Sequence, residues 1–223
     1  GDLDLWIGSV DGSNLRRLTR DNTYSEIEPR FSPDGKQLVF ERPTNSGQSF
    51  KGNLLEHDVW LIRTDGTDLR RLTKHRYFEV SGPCFRSDGK AVFYAADVPP
   101  MDMGSRKVLY EMPTHGITPP RVLFGSLSED EVSSTVSNPA LSPDGTQFVC
   151  ISGYNQPFPY DITLLSVEGK LLRRLNLGKQ SGDVDQPRFS ADGKSIYYLR
   201  GATLWQANLQ GKETRKIATL YQL

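Results

Sequence analysis

From Ile27 to Thr73 the chain alternates apolar with polar positions in short runs punctuated by Asp-Gly pairs: IEPRFSPDGKQLVF, a polar insert, then DVWLIRTDGTDLRRLT. A period of two sends successive side chains to opposite faces of an extended strand, so each run predicts a strand with one buried face. Asp-Gly readily accepts the positive φ angles of a tight hairpin. These signals together predict four short antiparallel strands, at about 29–33, 37–42, 58–64 and 69–73. A sheet that small cannot cover its own faces. It needs neighbours built the same way.

The sequence supplies them. PRFSPDGK starts at Pro29, PCFRSDGK at Pro83, PALSPDGT at Pro139 and PRFSADGK at Pro187, and the aspartates of their Asp-Gly pairs are spaced by 54, 56 and 48 residues. The second half of the unit recurs five times. Trp6, Trp60, Tyr110, Thr163 and Trp205 share one register, followed by Gly12, Gly66, Gly116, Gly169 and Gly211 and then by Leu18, Leu72, Val122, Leu175 and Ile217. Units of this length predict an all-β chain, a β-propeller of four-stranded antiparallel blades. Complete blades are expected at 27–73, 80–124, 136–176 and 184–218, with a half blade at 3–19. Residues 1–223 then form a single propeller domain of five or six blades when complete. Both ends stop inside the pattern, so a fragment or an incomplete ring is expected.

The pattern F-S-P-D-G-K-x-ø-x-F, then D-ø-W-ø, then D-G-T-x-ø-R-R-L-T resembles the WD-type repeats of the TolB family across nearly the whole chain. Similar blades occur in propellers of prolyl oligopeptidase-type peptidases, in the tricorn protease and in oligogalacturonate lyase. The TolB resemblance implies a propeller, generally of six blades, that binds another protein in the bacterial periplasm or another extracytoplasmic space. The other resemblances imply a metal-assisted carbohydrate-active enzyme, or the accessory gating propeller of a serine peptidase. Shared blades do not select among these, because function lies in the site and not in the fold.

Composition narrows the field. The formal net charge is zero over 223 residues, which gives no electrostatic footing for nucleic acid or an anionic membrane. No run of eighteen apolar residues exists to cross a bilayer as a helix. The basic residues Arg17, Arg71, Arg121, Arg174 and Lys216 recur before the fourth-strand aliphatic, where they read as charges guarding an exposed strand edge. Cys84 and Cys150 fall at different strand positions of their blades, so two free thiols are expected and the redox compartment stays open.

Loop lengths say most about function. The turns joining first to second and third to fourth strands are uniformly tight, at Asp34-Gly35, Asp88-Gly89, Asp144-Gly145, Asp192-Gly193 and the second-half glycines. The remaining connections, 43–57, 97–106 and 153–160 within blades and 20–28, 74–82, 125–137 and 177–186 between them, are long and irregular. In a propeller these two sets belong to opposite faces, and variable loops on a rigid scaffold are where recognition lives. Tyr24, Phe50, Tyr77, Phe78, Tyr154, Phe158 and Tyr160 occupy the loop-rich face and are the candidate contacts for a protein partner. The residues before each strand-opening proline, Glu28, Gly82, Asn138 and Gln186, with Asp185 beside the last, are candidates for the mouth of the central channel.

Catalytic signatures are missing. The sequence holds no G-x-S-x-G, H-E-x-x-H, C-x-x-C or G-x-x-x-x-G-K-[ST], so no catalytic residue is assigned and no cofactor is expected. Asp34, Asp88, Asp144 and Asp192 read as turn residues that accept local backbone N–H groups. His115 takes a turn position held elsewhere by Asp11, Asp65, Glu168 and Gln210. No metal site is assigned; His57 and His75, on either side of the second half of one blade, are the weak alternative through the lyase resemblance.

Overall fold

The computed structural model describes residues 3–20, 24–43, 57–73, 79–97, 107–125, 135–153, 161–175, 177 and 184–219. These residues form strands and turns, with no helix among them. The half blade is a two-stranded sheet of β1 (Trp6–Ile7) and β2 (Arg16–Arg17). The first complete blade joins β3 (Ile27–Phe31), β4 (Gln37–Pro43), β5 (His57–Arg63) and β6 (Arg70–Arg71). The second joins β7 (Val80–Phe85), β8 (Ala91–Asp97), β9 (Lys107–Pro113) and β10 (Arg121–Phe124). The third joins β11 (Thr135–Leu141), β12 (Gln147–Gly153), β13 (Asp161–Ser166) and β14 (Leu171–Leu175). The fourth joins β15 (Val184–Phe189), β16 (Ser195–Arg200), β17 (Thr203–Asn208) and β18 (Thr214–Thr219). Each four-stranded sheet takes its strands in sequence order, which is the antiparallel blade of a β-propeller.

The first strand of the first complete blade starts at Ile27, earlier than the expected 29–33. Ile27 already pairs with Glu41, and the pairing then slips before resuming at Arg30 with Val39. That slip contains Pro29, which has no N–H to give to a ladder.

Contacts gather the chain into two compact units, residues 1–101 with 111–120 and residues 102–110 with 121–223. In the first unit, Leu5 and Leu18 of the half blade pack with Leu38, Phe40 and Ile62 of the first complete blade, and Trp60 lies against them. In the second, Val149, Ile151, Ile162 and Leu164 of the third blade meet Ile196, Tyr198 and Ala207 of the fourth, with Trp205 alongside. Phe40, Ile62, Ile162 and Tyr198 are almost wholly buried. Burying a large apolar side chain of this kind contributes about 1.5–3 kcal/mol. Trp60 and Trp205 thus pack between sheets, a role the first member of their register does not share. Trp6, first in that register, is 56% exposed.

The tight turns are held as the sequence reading expected. Asp34 accepts hydrogen bonds from the Ser32 hydroxyl at 2.7 Å and from the Lys36 N–H at 3.0 Å, while Gly35 takes a φ of 69°. Asp144 and Asp192 repeat the arrangement with Ser142 and Ser190. The serine hydroxyl first, then the backbone N–H, holds these exposed carboxyls below the usual carboxylate range. In the second blade Arg86 replaces the serine and pairs with both Asp88 and Glu111. Gly169 illustrates how closely these turns approach their neighbours. At φ 87° a Cβ on it would stand 2.1 Å from the Leu123 carbonyl oxygen.

The D-ø-W-ø and R-R-L-T segments meet in a polar clamp between third and fourth strands. Asp58, wholly buried, takes a 2.6 Å hydrogen bond from the Thr73 hydroxyl and an ion pair from Arg71. Thr73 accepts in turn from the Val59 N–H at 3.0 Å. The half blade repeats the Arg17–Asp4 ion pair and the Leu5 N–H bond to the Thr19 hydroxyl, but that hydroxyl donates to Glu26 and not to Asp4. In the third blade burial raises the Asp161 carboxyl while the charge of Arg174 opposes that rise. The recurring arginines therefore do more than guard an edge. At Arg17 and Arg71 they neutralise an aspartate at the start of the neighbouring strand.

Two outcomes follow. Asp58→Ala should lower the free energy of unfolding by about 1.5–3 kcal/mol, the cost of losing hydrogen bonds to a charged buried group; urea unfolding checks this, and a loss below half that range contradicts it. Gly169→Ala should destabilise the chain measurably more than Gly35→Ala, whose Cβ would meet nothing within 4 Å. Both place alanine at positive φ, so the difference between their midpoints reads the clash with Leu123 alone.

Candidate functional site

The four residues before the strand-opening prolines share one backbone geometry, and it is not the extended one that a following proline favours. A residue before proline is pushed out of the right-handed helical region. Here Glu28, Gly82, Asn138 and Gln186 all take left-handed backbone, with φ of 53°, 60°, 50° and 46°. Each lies where first and second strands slip register, between Ile27 and Arg30, Ser81 and Cys84, Ser137 and Ala140, and Asp185 and Arg188. Only glycine adopts this conformation freely; for other residues such strain costs about 1–3 kcal/mol.

In the first unit this position leads into a group of ionisable side chains. The Glu28 carboxylate accepts the Gly82 N–H at 2.8 Å. Glu41, nearly buried, contacts Nδ1 of the half-buried His57. Burial raises the Glu41 carboxyl above its ordinary value; the bond and charge of His57 oppose this, and the neighbouring carboxylates Glu28 and Glu79 add to it. Glu79 donates its N–H to Asp97, itself buried, at 2.7 Å. Among the described residues His57 has no side-chain partner besides Glu41, and no three His, Cys, Asp or Glu side chains form a metal-binding group. A histidine oriented by a carboxylate is part of a general-base arrangement, which also needs a nucleophile within reach. The described partners of His57 include none.

In the second unit the candidate mouth residues Asn138, Asp185 and Gln186 are linked by hydrogen bonds. Asn138 donates through Nδ2 to Asp185 at 2.7 Å, and the same carboxylate oxygen accepts the Gln186 N–H at 2.8 Å. Gln186 is exposed.

Tyr24 is the one partner-contact candidate among the described residues. It is half-buried, with the Arg42 guanidinium 4.4 Å above its ring. Arg42 also lies 4.8 Å from the Trp60 ring and pairs at 3.2 Å with Glu26, which accepts from the Thr19 hydroxyl. This stack ties the segment after the half blade to the first complete blade. Phe50, Tyr77, Phe78, Tyr154, Phe158, Tyr160 and His75 lie outside the described residues. At the turn end of the first unit, a groove of about 630 Å³ runs between Asp34, Arg70, Asp88 and His115. Its polar groups are engaged in turns: Arg70 donates to the Thr114 carbonyl and His115 accepts from the Ile117 N–H.

Glu41 and Arg42 were not singled out by the sequence reading, although a signal was available. Aligning the repeats puts Glu41 level with Ala95, Ile151 and Leu199, a charge in a column that is otherwise apolar.

Because its raised carboxyl keeps a proton more tightly when folded, Glu41 stabilises the fold most below its ordinary value of 4.5. That contribution falls as pH rises through the folded-state value. A Glu41→Gln variant should therefore gain stability relative to the wild type as pH rises above about 4.5, the ordinary carboxyl value. Urea unfolding at several pH values checks the sign; a difference that is flat or runs the other way contradicts it.

No protein-family model matches the chain. It is 28% identical over 153 residues to an uncharacterized protein of Agrobacterium fabrum, covering 67% of this chain and 47% of that protein. It is 25% identical over 231 aligned positions to dipeptidyl-peptidase 5 of Porphyromonas endodontalis, covering 85% of this chain and 31% of that protein. The chain thus spans less than half the length of either curated relative. Among solved structures, TolB from Acinetobacter baumannii superposes with a TM-score of 0.70 at 17% identity, over 95% of this chain and 47% of that one. Oligogalacturonate lyase from Vibrio parahaemolyticus superposes with a TM-score of 0.66 at 12% identity, over 98% and 60%. At such identities the likeness is one of fold. By fold, the chain is a β-propeller with blades like those of TolB.

Proposed function

We propose that this chain is a non-catalytic propeller scaffold that binds a protein partner through its loop-rich end. The observation that carries the reading is the division of labour between the two ends of the blades. At one end, short turns use their own polar groups on themselves, as Ser32, Asp34 and Gly35 do. By the repeat pattern the long connections would belong to the other end, together with Glu28, Asn138, Asp185 and Gln186. Tyr24, Tyr77, Phe78, Tyr154, Phe158 and Tyr160 would supply the contact area. Large aromatic side chains bring much surface at little entropic cost. In GYNQPFPYD, Pro157 and Pro159 would limit the ordering cost further. By its likeness to TolB the setting would be periplasmic or otherwise extracytoplasmic.

The second reading is the accessory propeller of a peptidase, favoured by the sequence likeness to part of dipeptidyl-peptidase 5. In that case the reacting groups would belong to another part of a longer protein, and the propeller would gate access to them.

Affinity capture from extract of the source organism, read by mass spectrometry, tests the binding reading when a Phe158→Ala, Tyr160→Ala variant is run in parallel. One protein enriched by the wild type and lost with the variant is the expected result. No enrichment, or equal enrichment by both, would overturn the assignment of this face.

A further inference from the structure

We infer that the residue before the strand-opening proline is a clasp between successive blades, and that Glu28 and Asn138 perform this role. The inference goes beyond partner binding and does not depend on it. Three of the four pre-proline positions carry Glu, Asn or Gln in left-handed backbone, where glycine is the residue free of strain and where the second blade does use Gly82. A strained non-glycine residue at a repeated position needs a reason in its side chain. Two of the three have a visible one. Glu28 reaches from the first blade to the Gly82 N–H of the second, at the matching position of that blade's inner strand. Asn138 reaches from the third blade to Asp185 of the fourth, one residue before the matching position. Both bonds run from one inner strand to the next.

The geometry explains why left-handed backbone is kept. The register slip ejects the residue before proline from the ladder, so its side chain is no longer confined to a sheet face. Glutamate and asparagine in that posture can cross to the next inner strand. Gln186 shares the posture and, among the described residues, its side chain has no hydrogen-bond partner. Gly82 has no side chain to extend. The set therefore contains its own controls.

Replacing each strained residue by glycine separates strain from clasp. Gln186→Gly should stabilise the chain, since it relieves strain and breaks no described bond. Glu28→Gly relieves similar strain and Asn138→Gly less, because asparagine tolerates left-handed backbone better, but both break the clasp. They should fall behind Gln186→Gly by about tenfold in the unfolding equilibrium, or 1.4 kcal/mol. Equal shifts for all three would overturn the inference. Amide hydrogen exchange gives a local reading. In Glu28→Gly the Gly82 amide should exchange at least tenfold faster than in the wild type. The Gly35 amide, bonded to the Ser32 carbonyl, should keep its rate. Glu28→Gln retains an acceptor oxygen and should keep Gly82 protected to within about threefold. An unchanged Gly82 rate in Glu28→Gly, or equal loss of protection in both Glu28 variants, would overturn the clasp.

Discussion

Everything else in this chain depends on the burial of one sheet face against the next. A four-stranded sheet with apolar side chains on its faces gains little alone; stacked copies bury a continuous core. Tyr198 makes the point at a single residue. It sits on a middle strand of the fourth blade, packs among Val149, Ile151 and Ile162 of the third, and is 1% exposed. Phe40 does the same beside Leu5 and Leu18 of the half blade. Trp60 and Trp205 widen these two contacts. Polar interactions then hold the strands of each sheet in the positions this packing requires. The Asp58, Arg71 and Thr73 clamp secures the short fourth strand, and the Ser32–Asp34 bond secures the first hairpin.

The rigidity of that frame divides the two ends chemically. At the turn end, Asp34, Asp144 and Asp192 use their carboxylates within their own turns, and Arg70 bonds across to the Thr114 carbonyl. Carboxylates and a histidine collect at the opposite end of the first unit, where Glu41 is buried against His57 and flanked by Glu28 and Glu79. Burial first, then the like charges of Glu28 and Glu79, raise the Glu41 carboxyl, and the contact with His57 opposes that rise. The second unit meets its inner strands differently, with an amide-to-carboxylate bond from Asn138 to Asp185. The same position thus carries different chemistry in different blades.

Much of this architecture was legible in the sequence because its signals are local and repeated. Asp-Gly turns and alternating apolar positions marked the strands, and the hairpin roles of Asp34, Asp144 and His115 followed from their place in the repeat. The site was less legible. Glu and Gln rarely take positive φ, so nothing in Glu28 or Gln186 alone announces left-handed backbone, and Asn138 only hints at it. The clue was Gly82 in the same column. Glu41 was hidden for another reason: its burial against His57 depends on a diagonal contact between neighbouring strands, which periodicity does not specify. Arg42 between the rings of Tyr24 and Trp60 likewise joins residues far apart in sequence.

The most direct measurement of the central claim, that recognition belongs to the loop-rich end, is capture by chains tethered in opposite orientations. Single attachment cysteines at Lys194, in a tight turn, and at Gln156, in the 153–160 connection, would fix the two orientations. A Cys84→Ser background suits the coupling, because burial pushes the Cys150 thiol up to about 12 and leaves it unreactive. Tethering through the turn should preserve partner capture, and tethering through the connection should abolish it. Capture that survives only with the turn end free would contradict the account.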